Sequence, residues 1–108
     1  MIPQLSPAEL ERWRADGARE APLVIDVRER WEYEYCRIDG SHLLPLSEFA
    51  RRYTELPRDR ALVMVCHHGR RSQHAAMLLE GAGFTAVHNL RGGVAAWADE
   101  VDPTMKRY

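Results

Sequence analysis

Seven consecutive residues, Cys66, His67, His68, Gly69, Arg70, Arg71 and Ser72, carry the densest chemistry in the chain. The apolar run Ala61-Leu62-Val63-Met64-Val65 before them reads as a buried strand. The stretch from Arg71 to Ala82 reads as a helix, because Ala75, Leu78, Leu79 and Ala82 recur at i, i+3, i+4 and i+7. Cys66 therefore ends a strand and opens a short loop ahead of a helix N-terminus. Such a place suits an anion. The loop's backbone N–H groups can converge on one centre, Gly69 permits the tight curl, and the helix dipole points its positive end inward. Arg70 and Arg71 add permanent positive charge. Thiolate sulfur is the reactive form of cysteine, so Cys66 is read as a nucleophile. His67, His68, Gly69, Arg70, Arg71 and Ser72 are read as the surface that holds an anionic substrate beside it.

A lone cysteine at a strand end is ordinarily a small buried hydrophobe. An inert core position has no need of a glycine and two arginines within the next five residues, and that is what favours chemistry here. Cys66, His67, His68 and His74 also raise the question of a metal. A zinc site needs about four ligands in a defined geometry. Adjacent His67 and His68 are expected to point apart, and His74 lies inside the helix, so no metal and no cofactor are assigned. A nucleotide-binding P-loop is excluded, since no G-x-x-x-x-G-K-[ST] pattern occurs.

The elements that must position this loop are legible along the chain. Ser6-Pro7-Ala8-Glu9 is a capping box with proline at the first helical position, starting a helix from Pro7 to Asp16 that Gly17 stops. Leu23-Val24-Ile25 is a buried strand closed by Asp26. Glu29 to Tyr35 reads as a short helix, His42-Leu43-Leu44 as a short strand, and Leu46 to Tyr53 as a helix. Gly83 caps the helix after the cysteine loop, and Thr85 to His88 is the last strand. Gly92-Gly93 opens a final helix with Val94, Trp97 and Val101 on one side. Asp102-Pro103 ends it, and the tail to Tyr108 is expected to be extended. Short apolar strands alternating with helices define an α/β domain with a mostly parallel sheet. Sites in such sheets form at the carboxyl ends of strands, where both Cys66 and Asp26 lie.

The 108 residues suit a single domain, with 45% hydrophobic and 29% charged residues, a net charge of −1 and a pI near 6.5. That balance gives no footing for a nucleic-acid or anionic-membrane partner. No stretch approaches the roughly 20 apolar residues of a membrane span, and the N-terminal residues lack a secretory pattern. Two cysteines, Cys36 and Cys66, make no disulfide framework. A cytoplasmic, reducing location is the expectation.

With these pieces in place, the chain resembles the rhodanese-like (rhodanese-homology) domains. Leu23-Val24-Ile25-Asp26-Val27-Arg28-Glu29 matches that family's (I/V)-D-V-R-(E/D) signature, and Trp31-Glu32-Tyr33 continues it. Leu44-Pro45-Leu46 fits the following strand end. Cys66-His67-His68-Gly69-Arg70-Arg71-Ser72 matches C-x-x-G-x-R-S, and Leu90-Arg91-Gly92-Gly93 with Trp97 matches the closing L-x-G-G-x-x-x-W. The match departs at Cys36-Arg37, where the family usually has Gly-His. Cys36 brings a second thiol, read as structural in preference to a redox partner that would form a disulfide with Cys66. The resemblance implies a three-layer α/β fold over residues 1–108, with a central, mostly parallel sheet of about five strands flanked by helices. It implies a sulfurtransferase in which Cys66 takes the outer sulfur of a small donor such as thiosulfate. Held as a persulfide by backbone N–H groups of residues 67–72, that sulfur would pass to cyanide in an assay or to a thiol in the cell, including a sulfur-accepting protein. It also implies that Asp26 and Arg28 hold the fold and that Trp97 is core.

Two other functions compete. Related phosphatases and arsenate reductases enclose a tetrahedral oxyanion with a Cys-x5-Arg loop. Cys66 and Arg71 have only four residues between them, a length suited to a sulfur atom. The second competitor is a non-catalytic rhodanese-like binding or regulatory module. Such domains often lack the cysteine, which is present here.

Overall fold

The computed structural model describes residues 1–108. Five strands form one fully parallel sheet: β1 (Gln4–Leu5), β2 (Leu23–Asp26), β3 (His42–Leu43), β4 (Leu62–Val65) and β5 (Val87–Leu90), in the order β1-β5-β4-β2-β3. Five α-helices connect them: α1 (Pro7–Ala15), α2 (Arg30–Tyr35), α3 (Leu46–Arg52), α4 (Arg70–Gly81) and α5 (Gly93–Glu100). Tyr53–Glu55 adds a 3-10 turn after α3.

β4 is central, pairing with β2 through Val24↔Val63 and with β5 through Met64↔Asn89. Its period-2 alternation divides the core. Leu62 and Met64 face a cluster with Ile25, Phe49, Ala76 and Leu79, packed under α3 and α4. Val63 and Val65 face the opposite cluster with Leu10, Val24, Val94 and Trp97, packed under α1 and α5. All four β4 side chains are fully buried, each worth roughly 1.5–3 kcal/mol. Trp97 is core, as the resemblance implies. With β4 clamped between two strands and two helical layers, its carboxyl end is a rigid mount for Cys66.

The capping box forms as read: Ser6 Oγ accepts from Glu9 N and Glu9 Oε1 accepts from Ser6 N. Three expectations need correction. β1 was not foreseen; it is a two-residue edge strand that exists through its register with β5 at Gln4↔Asn89. β5 runs two residues later than the expected Thr85–His88. The reason is the end of α4, where Gly83 N donates to Glu80 O and Phe84 N donates to Leu79 O, committing that segment to a helix cap. The tail is not extended. It turns at residues 103–105, buries Met105, and returns across the sheet's carboxyl end until Tyr108 meets the cysteine loop.

Candidate active site

Cys66 sits one residue past β4, buried to 1% exposure. Its Sγ accepts the Gly69 N–H at 3.1 Å and the Ser72 hydroxyl at 3.3 Å. The first bond depends on Gly69, whose φ of +100° turns the backbone back toward the sulfur in a conformation L side chains resist. Gly69 also caps α4, so the unpaired N–H groups of that helix's first turn lie in the same curl.

The loop is held from behind by a second helix. Val94 N donates to Cys66 O at 2.9 Å and Ala95 N donates to His67 O at 3.1 Å. These are first-turn N–H groups of α5, which otherwise lack helical partners. By holding these two carbonyls, α5 fixes the first two peptide groups of the loop that leads to the Gly69 N–H on the sulfur. Close approach is essential: a Cβ at Gly93 would overlap Cys66 O and lie 2.5 Å from His67 O.

Ser72 is fully buried and has one proton for two acceptors, Cys66 Sγ at 3.3 Å and Asn89 Oδ1 at 2.6 Å. Asn89 is locked in turn, its Nδ2 donating to Gly69 O at 3.1 Å and Gln4 Oε1 at 2.9 Å. As negative charge develops on the sulfur, the Ser72 proton can swing from Asn89 to Sγ. Sequence reasoning assigned Ser72 a backbone role and missed Asn89 altogether. Its only signal is an amide in an otherwise largely apolar strand.

The two arginines separate. Arg71 makes a bidentate ion pair with Glu32, at 2.8 Å and 2.9 Å. Glu32 is buried and its carboxyl is held down to about 2, first by the Arg71 bonds, against the opposing effect of burial. Arg71 is held above its ordinary range by Glu32 first, with Cys66 a smaller contributor. Arg70 is exposed at the start of α4 and forms no salt bridge. Glu32 was not singled out in the sequence.

His67 and His68 do not point apart as expected. Their rings stack at 4.0 Å, and His67 stacks on Tyr108 at 4.0 Å on its other side. Burial, then His68, lowers the His67 imidazole below its usual range, so it is neutral near pH 7. No group of three or more His, Cys, Asp or Glu side chains is placed to hold a metal ion.

Asp26 and Arg28 do not line the crevice. Both are buried and joined by three bonds of 2.8–3.1 Å. Burial works against the Arg28 charge and Asp26 more than offsets it, so the pair is a permanent strut. Arg28 also donates to Cys36 O at 2.6 Å and to Cys36 Sγ at 3.7 Å, which accounts for the cysteine at the departure point as a packed, buried thiol.

A parallel five-stranded sheet, with a cysteine loop held between two helix N-termini at its carboxyl end, is the α/β architecture that the sequence resemblance implies. Within that architecture, the description of the Rhodanese-like domain matches residues 6–100, and the chain belongs to that family. A thiosulfate sulfurtransferase GlpE of Ectopseudomonas mendocina is 33% identical over 87% of this chain and 83% of its own length. A probable adenylyltransferase/sulfurtransferase MoeZ of Mycobacterium tuberculosis is 37% identical over 96% of this chain. This chain spans about a quarter of that relative, 26% of its length. The crystal structure of a rhodanese-related protein from Thermoplasma volcanium superposes with a TM-score of 0.83 at 29% identity, covering 93% of this chain and 94% of that one. No helix is long and apolar enough to cross a membrane.

Proposed function

We propose that the protein is a sulfurtransferase that carries sulfane sulfur on Cys66. The observation that carries this reading is the pair of donors on Cys66 Sγ, Gly69 N–H and Ser72 O–H, in a loop four residues wide between Cys66 and Arg71. The Cys66 thiolate attacks the outer sulfur of thiosulfate. A sulfur–sulfur bond forms to Sγ, the bond to the sulfonate sulfur breaks, and sulfite leaves with that electron pair. The terminal persulfide sulfur is held as an anion by the loop donors. A second nucleophile then bonds to it, and the pair returns to Cys66 Sγ. Cyanide gives thiocyanate; a thiol, on a small molecule or a protein, gives a persulfide. The two half-reactions predict ping-pong kinetics.

His67, His68, Gly69, Arg70, Arg71 and Ser72 surround the sulfur in this reading with distinct roles. Gly69 and Ser72 donate to it, Arg71 supplies field while committed to Glu32, and Arg70 is the exposed cation that an anionic donor meets first. His67 is part of the wall. The names of the relatives support sulfur transfer as the class of reaction.

The test is mass. Thiosulfate treatment is expected to make the intact protein heavier by one sulfur atom. Cys66→Ser is expected to abolish the gain, and Cys36→Ser to preserve it. A wild-type protein that gains no sulfur from thiosulfate or from a low-molecular-weight persulfide would overturn the proposal and leave a binding-module role as the better account.

A further inference from the structure

Tyr108 does something the sulfur-transfer chemistry leaves unused. Its hydroxyl donates to Glu32 Oε2 at 2.6 Å and accepts from Arg28 Nη1 at 2.9 Å. That same Glu32 oxygen takes the second Arg71 bond. The Tyr108 ring lies nearly parallel to His67, at 4.0 Å and 13°. Trp31 and Tyr35 meet the ring edge-on at 5.6 Å and 5.9 Å, fixing it in place. One side chain thus touches both ends of the cysteine loop: His67, which follows Cys66, and the ion pair that anchors Arg71.

The tail leading to Tyr108 is seated to deliver it. Met105 is buried, Arg107 pairs with Asp99 and donates to Ala98 O, and Tyr35 donates its hydroxyl to Arg107 O. Tyr108 itself is 40% exposed, so its burial is not a large part of the core. Its hydroxyl is pushed up to about 12, first by burial and then by Glu32. It therefore remains a proton donor to Glu32 throughout the working pH range.

We propose that Tyr108 is a positioning residue for the Cys66 loop, fixing Arg71 through Glu32 and the loop's leading edge through His67. The proposal rests on Cys66 as the reacting group and says what sets its reactivity. Without the hydroxyl, Glu32 loses one of its fixed donors and the Arg71 fork gains freedom. Without the ring, His67 loses one face of its stack as well, and the peptide groups beside the sulfur are less strictly oriented.

The experiment uses alkylation of Cys66 in the full chain, quantified by peptide mapping so that Cys36 is scored separately. Neutral iodoacetamide reads the reactivity of the sulfur; anionic iodoacetate also reads the field of Arg71. Tyr108→Phe keeps the ring and is expected to slow Cys66 alkylation about threefold, the size of one ordinary hydrogen bond. Tyr108→Ala is expected to slow it about tenfold, as the stacking contact is lost as well. The iodoacetate-to-iodoacetamide ratio should fall in both, while Cys36 labelling under conditions where the protein is folded changes little in Tyr108→Phe. A merely structural tail would raise Cys36 labelling and leave the ratio alone. Wild-type alkylation rates and ratios in both variants would overturn the positioning role. Thiosulfate loading measured in parallel separates the two readings. Failure of the wild type to load from thiosulfate and from a low-molecular-weight persulfide, with slowed alkylation in the variants, removes the sulfur-transfer proposal and keeps Tyr108; normal loading with unchanged alkylation does the reverse.

Discussion

Replacing Gly93 with Ala should damage the fold and the site together, and its magnitude follows from the contacts. Gly93 has φ +61°, where an L side chain costs about 1–2 kcal/mol. The added Cβ would overlap Cys66 O and stand 2.5 Å from His67 O and 2.6 Å from His67 C. Those atoms are rigid backbone, so relief requires the loop and α5 to part, at a cost of about 1–3 kcal/mol for overpacking. The total is about 3 kcal/mol, a large share of the roughly 5–15 kcal/mol of a domain. Parting also lengthens the Val94 and Ala95 bonds to the Cys66 and His67 carbonyls, so the peptide groups around the sulfur rotate. Urea unfolding should show a lower midpoint at unchanged slope, with Tm down by roughly 12 °C or more. Sulfur loading under conditions where the variant is still folded should be slowed as well. Gly17→Ala is the control: its φ is not positive and no atom lies within 4 Å of an added Cβ, so a change within about 0.5 kcal/mol is expected. If Gly93→Ala unfolds at the wild-type midpoint, or loads sulfur at the wild-type rate, then α5 does not hold the loop from behind.

Two more predictions follow from the buried polar contacts. Glu32 has a folded-state value of about 2 against an ordinary 4.5, so its ion pair contributes fully above 4.5 and is lost as pH falls toward 2. That difference corresponds to about 3 kcal/mol as an upper bound, reduced by solvent at Arg71. Glu32→Gln should therefore destabilise the protein by about 2 kcal/mol at pH 7, with the gap closing on acidification in urea titrations; a gap constant from pH 7 to pH 2.5 would refute the ion-pair account. Ser72→Ala removes the hydroxyl that reaches the sulfur and leaves Asn89 Oδ1 without its donor. Single-turnover loading should slow about tenfold, and a variant that is less stable but loads normally would reduce Ser72 to a packing role.

The parts that sequence revealed are those whose determinants are local. The capping box, the fully apolar β4 and the helical period of α4 are each written within a dozen residues, and each element forms where expected, although the buried face of α4 is Ser72, Ala75, Ala76 and Leu79, with Leu78 exposed where the pattern placed it inward. The cysteine loop was legible for the same reason, since residue types and spacing sit together. What escaped detection depends on distant partners. Arg71 meets Glu32 across 39 positions, Asn89 meets Gly69 across 20, and Tyr108 meets Glu32 across 76. Nothing near Glu32 distinguishes it from Glu34, which is exposed on the same short helix. β1 is too short for any periodicity and is called into being by the open edge of β5. The stacking of His67 on His68 reverses the expected divergence because Tyr108 supplies a third ring on the outer face.

The site also clarifies what a helix N-terminus is for. Two of them converge on the same loop with opposite tasks. α4 follows Gly69 and presents its first turn to the side where Cys66 Sγ receives the Gly69 N–H. α5 follows Gly92 and spends its first-turn donors on the Cys66 and His67 carbonyls. The first two peptide groups of the loop are therefore fixed by α5, which approaches closely at Gly93, while the Gly69 N–H at the start of α4 reaches the sulfur. Arginine charge can then be screened by Glu32 without emptying the site of positive potential, because the backbone supplies donors that no titration removes. On this account, altering Arg70 should change how an anionic donor arrives, whereas altering Gly93 changes what it finds.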